Sequence, residues 1–571
     1  MRALTRLFAV LLLVGAAATV YGFRGADGGE AYDVVIEGGR VVDGTGAPWF
    51  RGDVAVAGDR IARITPAGGL AGVAADRRID AAGLVVAPGF IDIQSHSRDA
   101  FLDGDGRVVS KATQGITTEI LGEGWTNAPS NARTREAGTR IDPEEGAPAH
   151  DFSGPRGFDA WLRAMAANGT SPNVGSFVGA VTVRTFAMGE ERGDPTPAQL
   201  DTMRAATRRA MEDGAYGLAS ALIYPPGSFA STDELVELSE VVADHGGLYI
   251  THMRSEGDRL VSAVREALEI GRRAGLPVEI YHLKAAGRRN WGAMETVIGI
   301  IDSARTAGQD VTADMYPYEA GSTALSAILP PWASEGGALE ERLRDPETRR
   351  KIHDAVLRPR TEWENLGKLA GPDGILVASL ENPQNQGYVG KRMSEVAEEM
   401  GTDWVDAAIE LILSEDRRIP AVFFLMSEGN LRRQMRQPWI KWGTDAEGMH
   451  PDSAEGLVHP RAYGTYPRIL GRFVREKGVL RMEEAIRKAT SAVAARLNIQ
   501  DRGLLREGMY ADVVVFDPTT VADRATFTEP HRLSEGVEHV FVNGTAVVRD
   551  GRHTGALPGR VLRGPGYRGE E

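Results

Sequence analysis

Three apolar runs in this chain each end in a residue that can hold a metal ion or move a proton. They are Tyr249-Ile-Thr-His252, Glu279-Ile-Tyr-His282 and Lys441-Trp-Gly-Thr-Asp445. If the runs are parallel strands of one barrel, their C-terminal ends lie on one face and the three side chains converge there. Neutral imidazoles with a carboxylate suit a divalent ion, zinc above all. Such an ion lowers the pKa of a bound water and polarises a carbonyl oxygen. A carboxylate beside that water can take its proton and return it to a leaving nitrogen, which is the task expected of Asp445. Taken singly, each residue has a plainer reading. A buried histidine is a core residue as readily as a ligand, and Asp commonly caps a following helix.

Other strand ends carry further polar groups. Val85–Ile93 reads as a short buried strand, and beyond it Gln94 and His96 have the spacing of two that puts both side chains on one side. Thr117-Thr-Glu-Ile-Leu-Gly-Glu123 closes a second run, and Asp314-Met-Tyr316 leads into Ser322. The elements that position these residues alternate between two kinds. Strand candidates are Leu84–Ile93, Ile116–Leu121, Asn173–Val181, Gly214–Leu222, Leu248–Met253, Val278–Lys284, Asp310–Tyr316 and Ile440–Asp445. Pro197–Asp213, Thr232–His245 and Leu260–Ala274 between them show helical spacing. Eight strands interleaved with helices predict an α/β fold, a (β/α)8 barrel of the TIM type, over residues 84–499. The stretch from Tyr318 to Trp439 is too long for a loop, so an inserted subdomain is expected after the seventh strand, over about 324–420. Short β-branched runs with Gly and Asp turns fill 32–83 and return over 500–556, which predicts one small β domain built from both chain ends.

The whole-chain properties narrow the function. At 571 residues, with 42% hydrophobic and 25% charged residues, this is an ordinary globular chain with room for more than one domain. A net charge of −14 without a basic stripe argues against a nucleic-acid binder. There is no cysteine, which removes disulfides, thiolate ligands and a lipid-bearing cysteine. Met1–Arg6 is a short basic segment and Leu7–Phe23 an unbroken apolar or small-residue run. Residues 1–23 therefore read as an export signal, with an uncleaved membrane anchor as the alternative, and the enzyme is expected in the periplasm or outside the cell.

Several long stretches resemble the N-acyl-D-amino-acid deacylase (D-aminoacylase) family of the amidohydrolase superfamily. They are Thr251-His-Met-Arg-Ser-Glu256, Tyr281-His-Leu-Lys284, Asp314-Met-Tyr-Pro-Tyr-Glu-Ala-Gly-Ser-Thr323, Gly443-Thr-Asp445 and His459-Pro-Arg-Ala-Tyr-Gly-Thr-Tyr-Pro-Arg468. Gly214–Pro226, the Pro-Gly-Phe-Ile-Asp92 run and the closing Gly508–Gly555 add to them. The resemblance implies hydrolysis of a small N-acyl-D-amino acid to a carboxylate and a D-amino acid. It implies His252 and His282 as ligands of a tightly held zinc, Asp445 as acid and base, and Arg461 as the clamp on the substrate carboxylate. Lys284, Tyr316 and Ser322 match positions lining the substrate site.

The chain departs from the family pattern twice. Gln94 stands where a histidine would hold a second metal beside His96. A neutral amide is a poor zinc ligand, so that site is expected to be weakened or empty, leaving His96 to touch substrate or water. Where D-aminoacylase has a cysteine ligand, this chain has Gly122-Glu123-Gly124, and Glu123 is expected to replace the thiolate, with the glycines letting the backbone swing it inward. The fourth strand has no lysine, against the carbamylated-lysine bridge of dihydropyrimidinases. A dipeptidase or cyclic-amide hydrolase with the same metal chemistry is the neighbouring alternative. A non-catalytic binding protein on the same fold is the distant one, opposed by the retention of His252, His282 and Asp445.

Overall fold

The computed structural model describes residues 31–141, 150–415 and 417–569. The targeting segment expected over residues 1–23 lies outside them.

Both ends of the chain enter one nine-stranded sheet. Tyr32–Val41 pairs antiparallel with Phe50–Ala57, which pairs with Arg60–Pro66, and Ala75–Asp80 runs parallel beside Tyr32–Val41. Val85–Pro88 joins this half to the other, lying between Tyr32–Val41 and Val513–Phe516. Val537–Val542 and Thr545–Arg549 then continue the sheet through a tight hairpin. The hairpin turns at Asn543-Gly544, where both residues have positive φ (49° and 79°), the conformation a two-residue primed turn demands. Val34, Ile36, Val54, Val56, Val86, Val513 and Val515 alternate inward and form its core.

The expected strand Leu84–Ile93 is in fact two. Val85–Pro88 belongs to the nine-stranded sheet, and Phe90–Asp92 pairs instead with Ile116–Leu121. The break falls at Gly89, whose N–H donates to the Asp512 carbonyl (2.9 Å). A Cβ there would meet the Thr117 side chain at 2.2 Å, so only glycine lets the two sheets approach.

The remaining parallel strands follow chain order. Phe90–Asp92, Ile116–Leu121 and Asn173–Ser176 form one sheet, and Val178–Gly179, Gly217–Ala221, Leu248–His252, Val278–Ile280, Val311–Met315 and Ile440–Trp442 another. The chain passes from the first to the second at Phe177, whose N–H still donates to Leu121 (2.9 Å). At the other edge Ser95 bridges in parallel to Ala446. The strands Val278–Ile280 and Ile440–Trp442 stop short of the expected Val278–Lys284 and Ile440–Asp445, so His282 and Asp445 lie beyond the ladder, whereas His252 closes its strand.

Helices cover the outside. Pro197–Glu212 starts at a Thr196 capping box, and Thr232–Ala243 at a Ser231 cap. Leu260–Ala274 stops at Gly275 in the left-handed conformation and turns Val264, Ala267 and Ile270 inward. Ile91, Ile93, Ile120, Phe177, Tyr216, Ile250 and Tyr281, drawn from both parallel sheets and their flanks, make a core of their own.

Between Met315 and Ile440 the chain forms an antiparallel sheet of Ala320–Ala324, Pro420–Phe424 and Ile375–Val377, with its own apolar cluster that includes Leu325, Ile352, Val356, Val405, Ile409 and Phe423. The charged run 340–350 is split by Asp345-Pro346 into helices Leu339–Arg344 and Pro346–Leu357.

Candidate active site

The ends of the parallel strands open into a cavity of about 1210 Å³, lined among others by Glu123, His252, His282, Asp445 and Arg461. Three donor atoms meet at its floor. Glu123 Oε1 lies 2.9 Å from His252 Nδ1 and 3.4 Å from His282 Nε2, and the two ring nitrogens are 3.1 Å apart. Glu123 reaches them because Gly122 and Gly124 take positive φ (112° and 68°). A side chain at Gly122 would strike the Phe177 carbonyl at 2.4 Å. His282 and Asp445 also turn with positive φ (33° and 51°), which L side chains seldom adopt. Backbone bonds hold both: His282 N–H donates to Asp314 Oδ1 and Asp445 N–H to the Gln94 carbonyl, each at 2.8 Å.

The imidazoles are oriented from behind by Glu256. Its Oε1 is 2.9 Å from His282 Nδ1, and its Oε2 is 3.5 Å from His252 Nε2. That carboxylate lies against the outer edges of both rings, close to His282 Nδ1 and beyond good hydrogen-bond reach of His252 Nε2, which is buried without a partner among the described residues. Lys284 completes the group, with Nζ 2.7 Å from Glu256 Oε1 and 2.7 Å from His282 Nδ1. Burial works to raise Glu256, but Lys284 and the two histidines overcome it and hold the carboxyl well below the usual range. Glu123 is depressed in the same way, with His282 and His252 outweighing burial.

A second group of donors adjoins the first. His96 Nε2 is 2.9 Å from Asp445 Oδ1 and 3.5 Å from Glu123 Oε2, and the Gln94 amide donates to Glu123 Oε2. The amide nitrogen of Gln94 therefore faces the place where a second metal would need a lone pair. His96 keeps 40% of its side chain exposed, and packing around it opposes protonation. Its bonds to Asp445 and Glu123 win and lift it to about 9.

Asp445 Oδ2 faces Arg461 Nη1 at 2.6 Å, with the side chains 11% and 6% exposed. Burial would raise Asp445, but Arg461 and then His282 hold it down at about 2, so it stands ionised and able to accept a proton. Arg461 opens the helix Arg461–Arg468 and stacks over the Tyr316 ring at 4.7 Å. Its Nη2 donates to the Ser322 carbonyl (3.3 Å), which places a fixed guanidinium fork beside the proton carrier.

With that geometry in hand, similarity to known proteins decides the family. The chain is 35% identical over 534 residues to the D-aminoacylase of Alcaligenes xylosoxydans xylosoxydans, covering 93% of this chain and 98% of that one. This chain belongs to the D-aminoacylase family of amidohydrolases. Residues 429–548 match the amidohydrolase family model. The N-acyl-D-glutamate deacylase of the same organism is also 35% identical, over 94% of this chain and 97% of that one. Among solved structures, the N-acyl-D-glutamate deacylase of Bordetella bronchiseptica, complexed with zinc and a phosphonate mimic of the tetrahedral intermediate, superposes with a TM-score of 0.76 at 32% identity. It covers 94% of this chain and all of that one.

All nine residues singled out from the sequence (Glu123, His252, His282, His96, Asp445, Arg461, Lys284, Tyr316 and Ser322) line this deacylase-family cavity. Two of them also have partners within the protein. Lys284 is engaged with Glu256 and His282, and the Ser322 hydroxyl donates to Ala421 (3.1 Å), so its carbonyl and not its side chain meets Arg461. Sequence reasoning missed Glu256, although its place four residues after His252 inside an acidic-ended run was a signal. It also missed Tyr224, whose ring stands edge-on to His252 at 5.4 Å.

Proposed function

We propose that this chain hydrolyses the amide bond of N-acyl-D-amino acids, giving a carboxylate and a D-amino acid, with a metal held by Glu123, His252 and His282. The proposal takes the parallel strands as one closed (β/α)8 barrel, with the nine-stranded sheet as a composite β domain (32–88 and 500–556) and the 324–420 insertion over the cavity. The observation that carries the functional reading is the Arg461–Asp445 pair beside the three-donor floor, a carboxylate clamp, a proton carrier and a metal cage in contact.

The donor set fits zinc. Neighbouring corners of a tetrahedron with ligand bonds of about 2.0–2.1 Å lie about 3.3–3.4 Å apart; Glu123 and His282 match at 3.4 Å, and the 2.9 and 3.1 Å separations to His252 need open by only a few tenths of an ångström. Zinc at that place supplies Lewis acidity toward a carbonyl oxygen and lowers the pKa of a coordinated water. The protein does the rest. Arg461 takes the substrate α-carboxylate in its fork and fixes the acyl group over the floor. Asp445, ionised and 2.9 Å from His96, accepts the proton of the attacking water and delivers it to the leaving nitrogen. Glu256, 2.9 Å from His282 Nδ1, backs the imidazoles on the side away from the metal floor. Gln94, offering an amide N–H where a lone pair is needed, supports one tightly held metal, with His96 serving Asp445 and the substrate.

The D configuration rests on the relatives' own substrates, and the free α-carboxylate on Arg461, which a cyclic amide could not engage. Equal identity to the D-aminoacylase and the N-acyl-D-glutamate deacylase leaves the side chain to measurement. The test is a panel of N-acyl-D- and N-acyl-L-amino acids, dipeptides and hydantoins offered to zinc-loaded protein. The proposal expects turnover of the D-amides; turnover of hydantoins or L-dipeptides alone would overturn it. Export through residues 1–23 is part of the same reading, and the mass of the protein recovered from the native host checks it.

A further inference from the structure

The insertion does more than cover the cavity: it sends one carboxylate to the rear of the metal floor. Glu364, on the segment between helices Pro346–Leu357 and Leu366–Ala370, is buried at 6% exposure. Its two oxygens accept from two donors of the loop that follows strand Leu248–His252. Ser255 Oγ donates to Oε2 (2.7 Å) and the Glu256 N–H to Oε1 (2.9 Å). The Ser255 hydroxyl in turn accepts from Gly257 N–H (3.3 Å) and Arg259 N–H (3.2 Å), so its one proton is committed to Glu364. The same segment is tied again where Arg259 Nη1 donates to the Glu362 carbonyl (2.9 Å). From the other side, Ala286 N–H donates to the Glu256 carbonyl (2.7 Å). The backbone of Glu256 is thus gripped by Glu364 and by the stretch after the next strand.

A buried carboxyl group that forms no ion pair among the described residues is costly to keep, and the two bonds to this loop are what offset that cost. What the loop carries is Glu256, whose carboxylate spans the outer nitrogens of His252 and His282 and holds Lys284. We infer that Glu364 is a positioning residue for the metal centre, acting through the Glu256 backbone to place the carboxylate that backs the ligating imidazoles, His282 above all, and coupling the insertion to the barrel's chemistry. This rests on the deacylase reading. Glutamine at 364 could accept only one of the two bonds and would turn an N–H toward the other donor.

The experiment uses the full-length protein stripped of metal and titrated with cobalt(II) against a competing chelator, recording both the dissociation constant and the visible ligand-field bands. Wild type, Glu364→Gln and Ser255→Ala are compared, with melting temperatures of the metal-free forms. Loss of an outer-shell partner of this kind typically weakens metal binding by about 10–100-fold. Glu364→Gln is expected to fall in that range with shifted bands, and Ser255→Ala to change both in the same direction by less. Wild-type affinity and unshifted bands in the variants overturn the inference, even if the melting temperature falls, since that is what a merely structural carboxylate would give. If Glu364→Gln does not fold, Ser255→Ala decides by the same two readouts. Failure of the wild type itself to bind cobalt would instead refute the metal reading beneath it.

Discussion

Replacing Arg461 by methionine separates its two duties. The side chain is 6% exposed and sits between Asp445 Oδ2 at 2.6 Å and the Ser322 carbonyl at 3.3 Å, so a carboxylate bound there is desolvated. Truncating one partner of a buried, hydrogen-bonded charge pair costs about 2–5 kcal/mol. Taking about 3 kcal/mol, kcat/KM for an N-acyl-D-amino acid should fall roughly 150-fold through the lost clamp alone. A second loss comes from leaving Asp445 with His96 as its remaining polar partner, and it should fall on any substrate. The assay therefore measures kcat/KM of wild type and Arg461→Met on an N-acyl-D-amino acid and on its primary amide, which lacks the carboxylate. Wild type should prefer the acid by about two orders of magnitude, and the variant should lose that preference to within a few-fold. An unchanged acid-to-amide ratio in the variant would refute the clamp, whatever the absolute rates.

Other perturbations follow from the same geometry. Gln94→His restores a lone pair beside His96 and Glu123, and metal analysis should rise from about one tightly held equivalent toward two; no change would show that Gln94 is not what weakens the second site. Lys111→Met strips the one cation paired, among the described residues, with the buried Asp92 and Glu119 carboxylates (2.8 and 3.3 Å, all three side chains at 0% exposure). It should cost about 3–5 kcal/mol in denaturant unfolding, and a cost under 1 kcal/mol would contradict the pairing. Glu428 is held down to about 2 by Lys477, Arg472 and Arg432, against its usual 4.5. A depressed carboxyl stabilises above its unfolded value and loses that contribution as pH falls through its folded value. After allowance for partial solvent screening, Glu428→Gln should therefore be less stable than wild type by about 1 kcal/mol at pH 7, with the gap shrinking steadily between pH 5 and 2. A gap independent of pH would mean that the ion pairs contribute nothing.

Much of this site was legible because strand ends are written in the sequence. An apolar run closing in His252, His282 or Asp445 marks both the element and the end at which function sits. The inward turn of Glu123 was legible too, since flanking glycines announce a backbone free to redirect a side chain. What the sequence hides is anything set by two distant segments meeting. The split at Gly89 depends on Thr117 packing against it, and no local pattern separates a strand that continues from one that changes sheets. Glu256 and Glu364 look like ordinary charged residues, because their meaning lies in a contact across 108 positions of chain. Lys284 read as a substrate contact, and its bonds to Glu256 and His282 became visible only with both strands in place.

The most direct test of the central claim is activity followed against metal content as zinc is returned to chelator-stripped protein, with N-acyl-D-amino acid as substrate and Glu123→Ala alongside. The account predicts negligible hydrolysis in the stripped protein, recovery in proportion to the first equivalent of zinc, and almost no uptake or recovery in the variant. Full hydrolysis by folded, metal-free protein, or equal recovery in Glu123→Ala, would contradict it.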